Sequence, residues 1–333
     1  MHIKEKFHAH SSPIIVVGGS YGGMLAAWFR LKYPHIVLGA LASSAPVLYF
    51  DDITPNDAYD KVVTRDFQEE SFSCYETIKR SWDELDRIAS LPNGLAILSQ
   101  KFNTCSQLTD VLELKYALEL EYTFGAQYSS EIVKLICQGI DSAPKDSDTI
   151  TRITAGITAG IASGYCNTSC LSISYDDDDD DDVDSENYDG WSWQTCTEMV
   201  MPLGRGNETM LFPMPFNITE FIQNCMESYG VQPRPHWVTT YYGGHDMKLV
   251  FQRFGSNIIF SNGLKDPYSG GGILENLSES VVAIKTEKGT HCMDLFESSP
   301  TDPKWLVLQR EKEVEVIQGW LNKYYKDLQN VKD

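Results

Sequence analysis

Ser20 sits in the pentapeptide Gly18-Gly19-Ser20-Tyr21-Gly22, after the apolar run 14–17 and before the helix-patterned stretch 24–33. That spacing places one hydroxyl at the apex of a strand-to-helix turn, where flanking residues must be small because a sharp turn has no room for side chains. A serine so exposed can attack a carbonyl carbon if a base takes its proton and an acid orients that base. The chemistry indicated is acyl transfer.

In this arrangement the acid and then the base follow the serine, each in a loop just past a later strand. Residues 257–261 (Asn-Ile-Ile-Phe-Ser) read as a short buried strand, and the turn Gly263-Leu264-Lys265-Asp266-Pro267 follows it. Residues 280–286 read as another strand, and Glu287-Lys288-Gly289-Thr290-His291 follows that one. Alone, an aspartate before proline is an ordinary turn former. The order selects Ser20, Asp266 and His291 as nucleophile, acid and base. His245, in Gly243-Gly244-His245-Asp246, is the rival base but precedes the strand carrying Asp266. His2, His8, His10, His35 and His236 lack such context, and His8-x-His10 is too little for a metal site. No metal or other cofactor is called for.

The elements needed to hold these loops fit the chain. With 333 residues, 42% of them apolar, it can bury a large core. Two or three strand–helix units between nucleophile and acid would take on the order of 100 residues. The actual span from position 20 to position 266 is far longer, so something is inserted. Apolar residues recur at helical intervals over 72–88 and 108–120 within a helix-rich stretch 51–139. Residues 190–242 are irregular and rich in proline and aromatics, as suits long loops over a site. The expected organisation is a catalytic α/β domain in two parts, 1–50 and 250–333, interrupted by a mainly helical cap with a loop-rich return over 51–249. A cap favours short peptides or small esters over folded proteins.

The formal charge of −20 argues against nucleic acid or anionic membranes as partners. Much of it comes from the unbroken aspartate run 176–182, which reads as a solvated like-charged loop; a calcium site would need spaced ligands and a turn glycine. The apolar-rich stretch 36–50 is broken by Gly39, Ser43, Ser44 and Pro46, and reads as a buried strand and loop, not a membrane span. The start of the chain shows no apolar signal-peptide region. Eight irregularly spaced cysteines and sequons at Asn167, Asn207, Asn217 and Asn276 nevertheless point to an oxidising, glycosylating route.

Four segments carry a resemblance: Gly18-Gly19-Ser20-Tyr21-Gly22-Gly23-Met24-Leu25-Ala26-Ala27-Trp28, Asp189-Gly190-Trp191-Ser192-Trp193-Gln194-Thr195-Cys196-Thr197-Glu198, Arg234-Pro235-His236-Trp237 and Ser261-Asn262-Gly263-Leu264-Lys265-Asp266-Pro267. The chain resembles the serine peptidase family of prolylcarboxypeptidase and dipeptidyl peptidase II. The resemblance implies an α/β-hydrolase core with an inserted helical cap, and cleavage next to proline at chain ends, as a Pro-X carboxypeptidase rather than a dipeptidyl aminopeptidase. An esterase on the same scaffold and an inactive glycoprotein are the alternatives. The resemblance assigns Ser20, Asp266 and His291 the triad roles, the Tyr21 N–H one oxyanion donor, and Met24, Met201, Tyr268 and Trp193 a proline pocket. It implies bridges Cys74–Cys137, Cys105–Cys170 and Cys196–Cys225, leaving Cys166 and Cys292 spare, and a lysosomal, vacuolar or secreted location. A short proline-containing peptide is the implied substrate and a homodimer is compatible with it.

The chain departs from the family pattern at several points. Tyr268 stands where the family has Trp, Cys292 follows the base, and Asn56 and Gly204 stand where a further disulfide would be. Upstream strands, the second oxyanion loop and a secretory signal are expected before the elbow, where only about one helix (1–10) is found. By this reading the chain is a member shortened at its N-terminus, its elbow strand is an exposed apolar edge, and the shortened chain is inactive by itself.

Overall fold

The computed structural model describes residues 2–162, 169–173 and 190–330. The aspartate run, Cys166 and Asn167 lie outside the described residues. Two compact units form, one from Met1–Leu48 with Thr239–Asp333 and the other from Tyr49–Val238.

The first unit is an α/β layer structure. Strands β1 (Ile15–Gly19), β2 (Gly39–Ser43), β3 (Ile258–Gly263) and β4 (Val281–Thr286) form a parallel sheet in the order β1-β2-β3-β4. Their pairing puts Gly19 opposite Ser43, Ser43 opposite Ser261, and Gly263 opposite Thr286, so the strands end together on one side. The inner strands β2 and β3 are buried at every position, as expected when helices cover both faces of a parallel sheet. At the edge, β1 leaves Val17 56% exposed.

Two helices hold this sheet. The elbow helix Tyr21–Lys32 packs through Met24, Ala27 and Trp28, and Trp28 stacks on Tyr242 at 4.2 Å. Buried Arg30 ties its end to the following turn through the carbonyls of Pro34 and Val37, and to Ser256. That is why β2 begins at Gly39 rather than Ile36: the preceding carbonyls belong to the arginine. The closing helix Lys304–Asn330 crosses β2 at Gly39, where a Cβ would lie 2.5 Å from the Trp320 ring. Only glycine permits that approach.

The second unit is mainly helical. Helices Ala58–Glu70, Phe72–Ala89, Gly94–Phe102, Val111–Tyr128, Ser130–Ser142 and Thr149–Gly160 enclose a core that includes Phe67, Ile78, Trp82, Leu114, Tyr122 and Ile136. Helix Val111–Tyr128 opens with a capping box between Asp110 and Glu113. The last two helices approach through Gly139 and Gly156, each without room for a Cβ against the other's backbone. Cys74–Cys137 and Cys105–Cys170 staple this bundle, and Cys196–Cys225 fixes the start of the return to helix Ile218–Tyr229. These are the pairs implied by the resemblance.

Candidate active site

Ser20 leaves β1 with φ 57° and ψ −126°, a positive-φ conformation outside even the left-handed helical well and costly for a residue with a side chain. The surrounding bonds hold it there. Its N–H donates to the Ser43 carbonyl at 2.9 Å, and its own carbonyl accepts the Met24 N–H at 3.0 Å, starting the elbow helix. A Cβ on Gly18 would lie 2.1 Å from the Gly22 carbonyl oxygen, and one on Gly23 would lie 2.7 Å from the Ser43 carbonyl oxygen. Gly22, by contrast, has open space around it. The turn therefore depends on Gly18 and Gly23, and Gly22 contributes its carbonyl rather than its missing side chain.

Past β3, Asp266 is fully buried at the head of the short turn Pro267–Gly271. One carboxylate oxygen accepts the Tyr268 N–H at 3.0 Å; the other faces His291 Nδ1 at 2.8 Å. Because a carboxylate only accepts, Nδ1 carries the proton and Nε2 remains as the basic nitrogen. His291 is 4% exposed. Burial pulls its pKa down, but the hydrogen bond and charge of Asp266, with a further contribution from Cys292, outweigh burial and raise it.

The loops meet through backbone. The Gly289 carbonyl accepts the Lys265 N–H at 3.0 Å, and a Cβ on Gly263 would lie 2.1 Å from that same oxygen. Cys292 sits in the left-handed region (φ 55°); its N–H donates to Ser44 Oγ at 2.9 Å, and its Sγ lies 3.9 Å from the Ser43 carbonyl. A Cβ on Gly19 would lie 2.8 Å from Cys292 Sγ. The residues flanking Ser20 and His291 are thus in contact, and the Ser43 carbonyl serves both. The Tyr268 ring lies 5.4 Å from the His291 ring.

Tyr21 is half-buried at the first helical position, and Met24 is buried in the elbow helix. Met201, half-buried, and Trp193, 47% exposed, belong to the second unit. The rival His245 is exposed, and exposed His236 pairs with Asp51 within the second unit. Asn207, Asn217 and Asn276 are exposed; Asn217 caps helix Ile218–Tyr229, and Asn276 accepts the Ala283 N–H. Asn56 and Gly204, at the positions of the missing bridge, are joined by a backbone bond of 2.9 Å. Cys292 is the free cysteine among the described residues. Sequence reasoning gave Gly23, Ser43 and Ser44 no role in the site. The paired serines at the end of an apolar run were the available signal.

A family model described as serine carboxypeptidase S28 matches residues 1–313. The chain belongs to the S28 family. Among curated relatives, the lysosomal Pro-X carboxypeptidase of Bos taurus is 38% identical and that of Homo sapiens 36%, each over 95% of this chain. The thymus-specific serine protease of Mus musculus is 28% identical over 93% of it. The chain spans about 65% of the length of the Pro-X carboxypeptidases it matches. The parallel sheet flanked by helices is the α/β-hydrolase type of core expected of the family.

Proposed function

We propose that this chain carries the catalytic machinery of a serine exopeptidase that hydrolyses the bond after a proline near the C-terminus of a short peptide. The observation that carries this reading is the buried Asp266–His291 pair, set on strand ends of the same sheet as the Ser20 elbow and joined to it by the Ser43 carbonyl. Membership of S28 and the names of the Pro-X carboxypeptidases support it.

In the proposed reaction His291 Nε2 takes the proton of Ser20 Oγ as that oxygen bonds to the peptide carbonyl carbon. Asp266 keeps Nδ1 protonated and stabilises the imidazolium that forms. The Tyr21 N–H, at the start of the elbow helix, donates to the oxyanion, where the helix dipole also favours negative charge. His291 returns the proton to the leaving amine, and water repeats the sequence on the acyl-enzyme. The three disulfides require an oxidising route, which fits the lysosomal relatives and supports a lysosomal or secreted location.

Peptides ending in Pro-X, offered with a free or an amidated C-terminus, test the mode. Release of X from the free form alone is expected. Release of an N-terminal dipeptide would favour an aminopeptidase, and turnover of simple esters alone would favour an esterase.

A further inference from the structure

Helical spacing makes positions 306, 309, 313 and 320 of the closing helix one sheet-facing stripe, yet Gln309 and Glu313 are polar and only 5% and 4% exposed. Glu313 Oε1 accepts from Ser261 Oγ of β3 at 2.6 Å, and Gln309 Nε2 donates to the same hydroxyl at 2.8 Å. Asp294, three residues past His291, is 8% exposed, and its Oδ1 accepts from Ser43 Oγ at 2.5 Å. Ser43 and Ser261 are register partners on β2 and β3, so the Asp294 and Glu313 carboxyls that accept from their hydroxyls are neighbours beneath the sheet. Among the described residues no N–H or O–H reaches Asp294 Oδ2.

The nearest cation does not resolve this. Arg310 spends its guanidinium on the carbonyls of Asp294, Met293 and Phe296 and on Asp302 Oδ2 at 2.5 Å. Two ionised carboxylates would put acceptor against acceptor in a buried site. One proton turns the contact into an O–H···O⁻ bond.

We propose that Asp294 and Glu313 hold one proton between them and act as positioning residues, tying the His291 loop to the closing helix and, through Ser43, to the Ser20 elbow. Ser43 makes the connection, its hydroxyl donating to Asp294 while its carbonyl receives the Ser20 N–H. The inference rests on reading Ser20 and His291 as nucleophile and base. Burial favours the protonated form of both carboxyls, against the opposing pull of the Ser43 and Ser261 hydroxyls and the Arg310 charge. Loss of the shared proton above neutrality sets two anions against each other beneath the base loop, so acylation slows on the alkaline side.

Proton release on unfolding near pH 6, read calorimetrically in buffers of different ionisation enthalpy, tests the sharing without reference to activity. Wild-type protein is expected to release about one proton more than Glu313→Gln, whose amide donates without titrating. Asp294→Asn, which reverses the donor, should lose the same proton. In kinetics, Glu313→Gln should keep kcat at the wild-type pH optimum and lose the alkaline decline, while Glu313→Ala should lower kcat on the order of tenfold to a hundredfold with little change in KM. Equal proton release from wild type and both amide variants would overturn the shared proton. A Gln variant as slow as the Ala variant would overturn the positioning role. Absence of peptidase activity in wild type would count against the triad reading, and the proton count would still decide the pair.

Discussion

Asp266 and His291 form a closed pair, carboxylate oxygen to Nδ1 at 2.8 Å, with the aspartate fully buried and the histidine 4% exposed. Because the carboxylate charge raises the His291 pKa against burial, removing that charge should lower it. Activity needs neutral Nε2, so the rate rises with pH through the His291 pKa. Asp266→Asn should reduce kcat about 10⁴-fold and move the acid limb of the remaining kcat/KM profile to lower pH. An unmoved limb would show that Asp266 does not set the base.

The order of loops selects His291 over His245, and burial now separates them as well. His291→Ala should cost on the order of 10⁶ in kcat, as losing one member of a working triad does, and adding Ser20→Ala should cost little more. His245→Ala should leave most activity. Steady-state kinetics on one Pro-X peptide would check the ranking, and its reversal would overturn the site.

The elbow glycines differ in what surrounds them. Gly18→Ala and Gly23→Ala push a methyl into backbone oxygen and should each destabilise by roughly 1–3 kcal/mol, with activity falling further as the elbow shifts. Gly22→Ala meets open space and should be tolerated in both respects. Denaturant melts of the three variants would check this, and equal effects would contradict the backbone contacts.

Stability should fall as pH rises. In the second unit, burial raises the pKa of Asp60 and of Glu119 to about 7, against the attraction of Arg205, and raises that of Glu121. Between the ordinary carboxylate range and these values the folded state holds protons that the unfolded chain releases, so stability declines with pH across that window. His291 acts in the same direction: its pairing contributes fully below the ordinary histidine value and is lost as pH rises through the raised one. The melting temperature should drop from about pH 5 to about pH 8, and Asp60→Asn should flatten the drop. A melting temperature that rises over this range would contradict the assignment.

What the sequence made legible was local. Gly18 before Ser20, the apolar runs before Asp266 and His291, and the helical spacing over 72–88 each carry their meaning within a few residues, because strand, turn and helix rules are short-range, whereas the small residue expected at Gly22 is not required by its surroundings. Gly23, Ser43 and Glu313 were not legible. Gly23 is constrained by a carbonyl at position 43, beyond the elbow helix and at the end of the next strand, and Ser43 serves partners at positions 20, 292 and 294. Glu313 occupies a stripe where spacing alone calls for an apolar side chain, and only the serines of β2 and β3 with Asp294 explain it.

Ser20 as an activated nucleophile is tested by active-site labelling. The folded, disulfide-bonded protein, with the N-terminal region of a full-length relative fused ahead of Met1, is incubated with a fluorophosphonate and digested for mass spectrometry. One label is expected on the peptide carrying Ser20, abolished by Ser20→Ala and nearly abolished by His291→Ala. Undiminished labelling in the Ser20→Ala variant, or a label on Cys292 in place of Ser20, would contradict it.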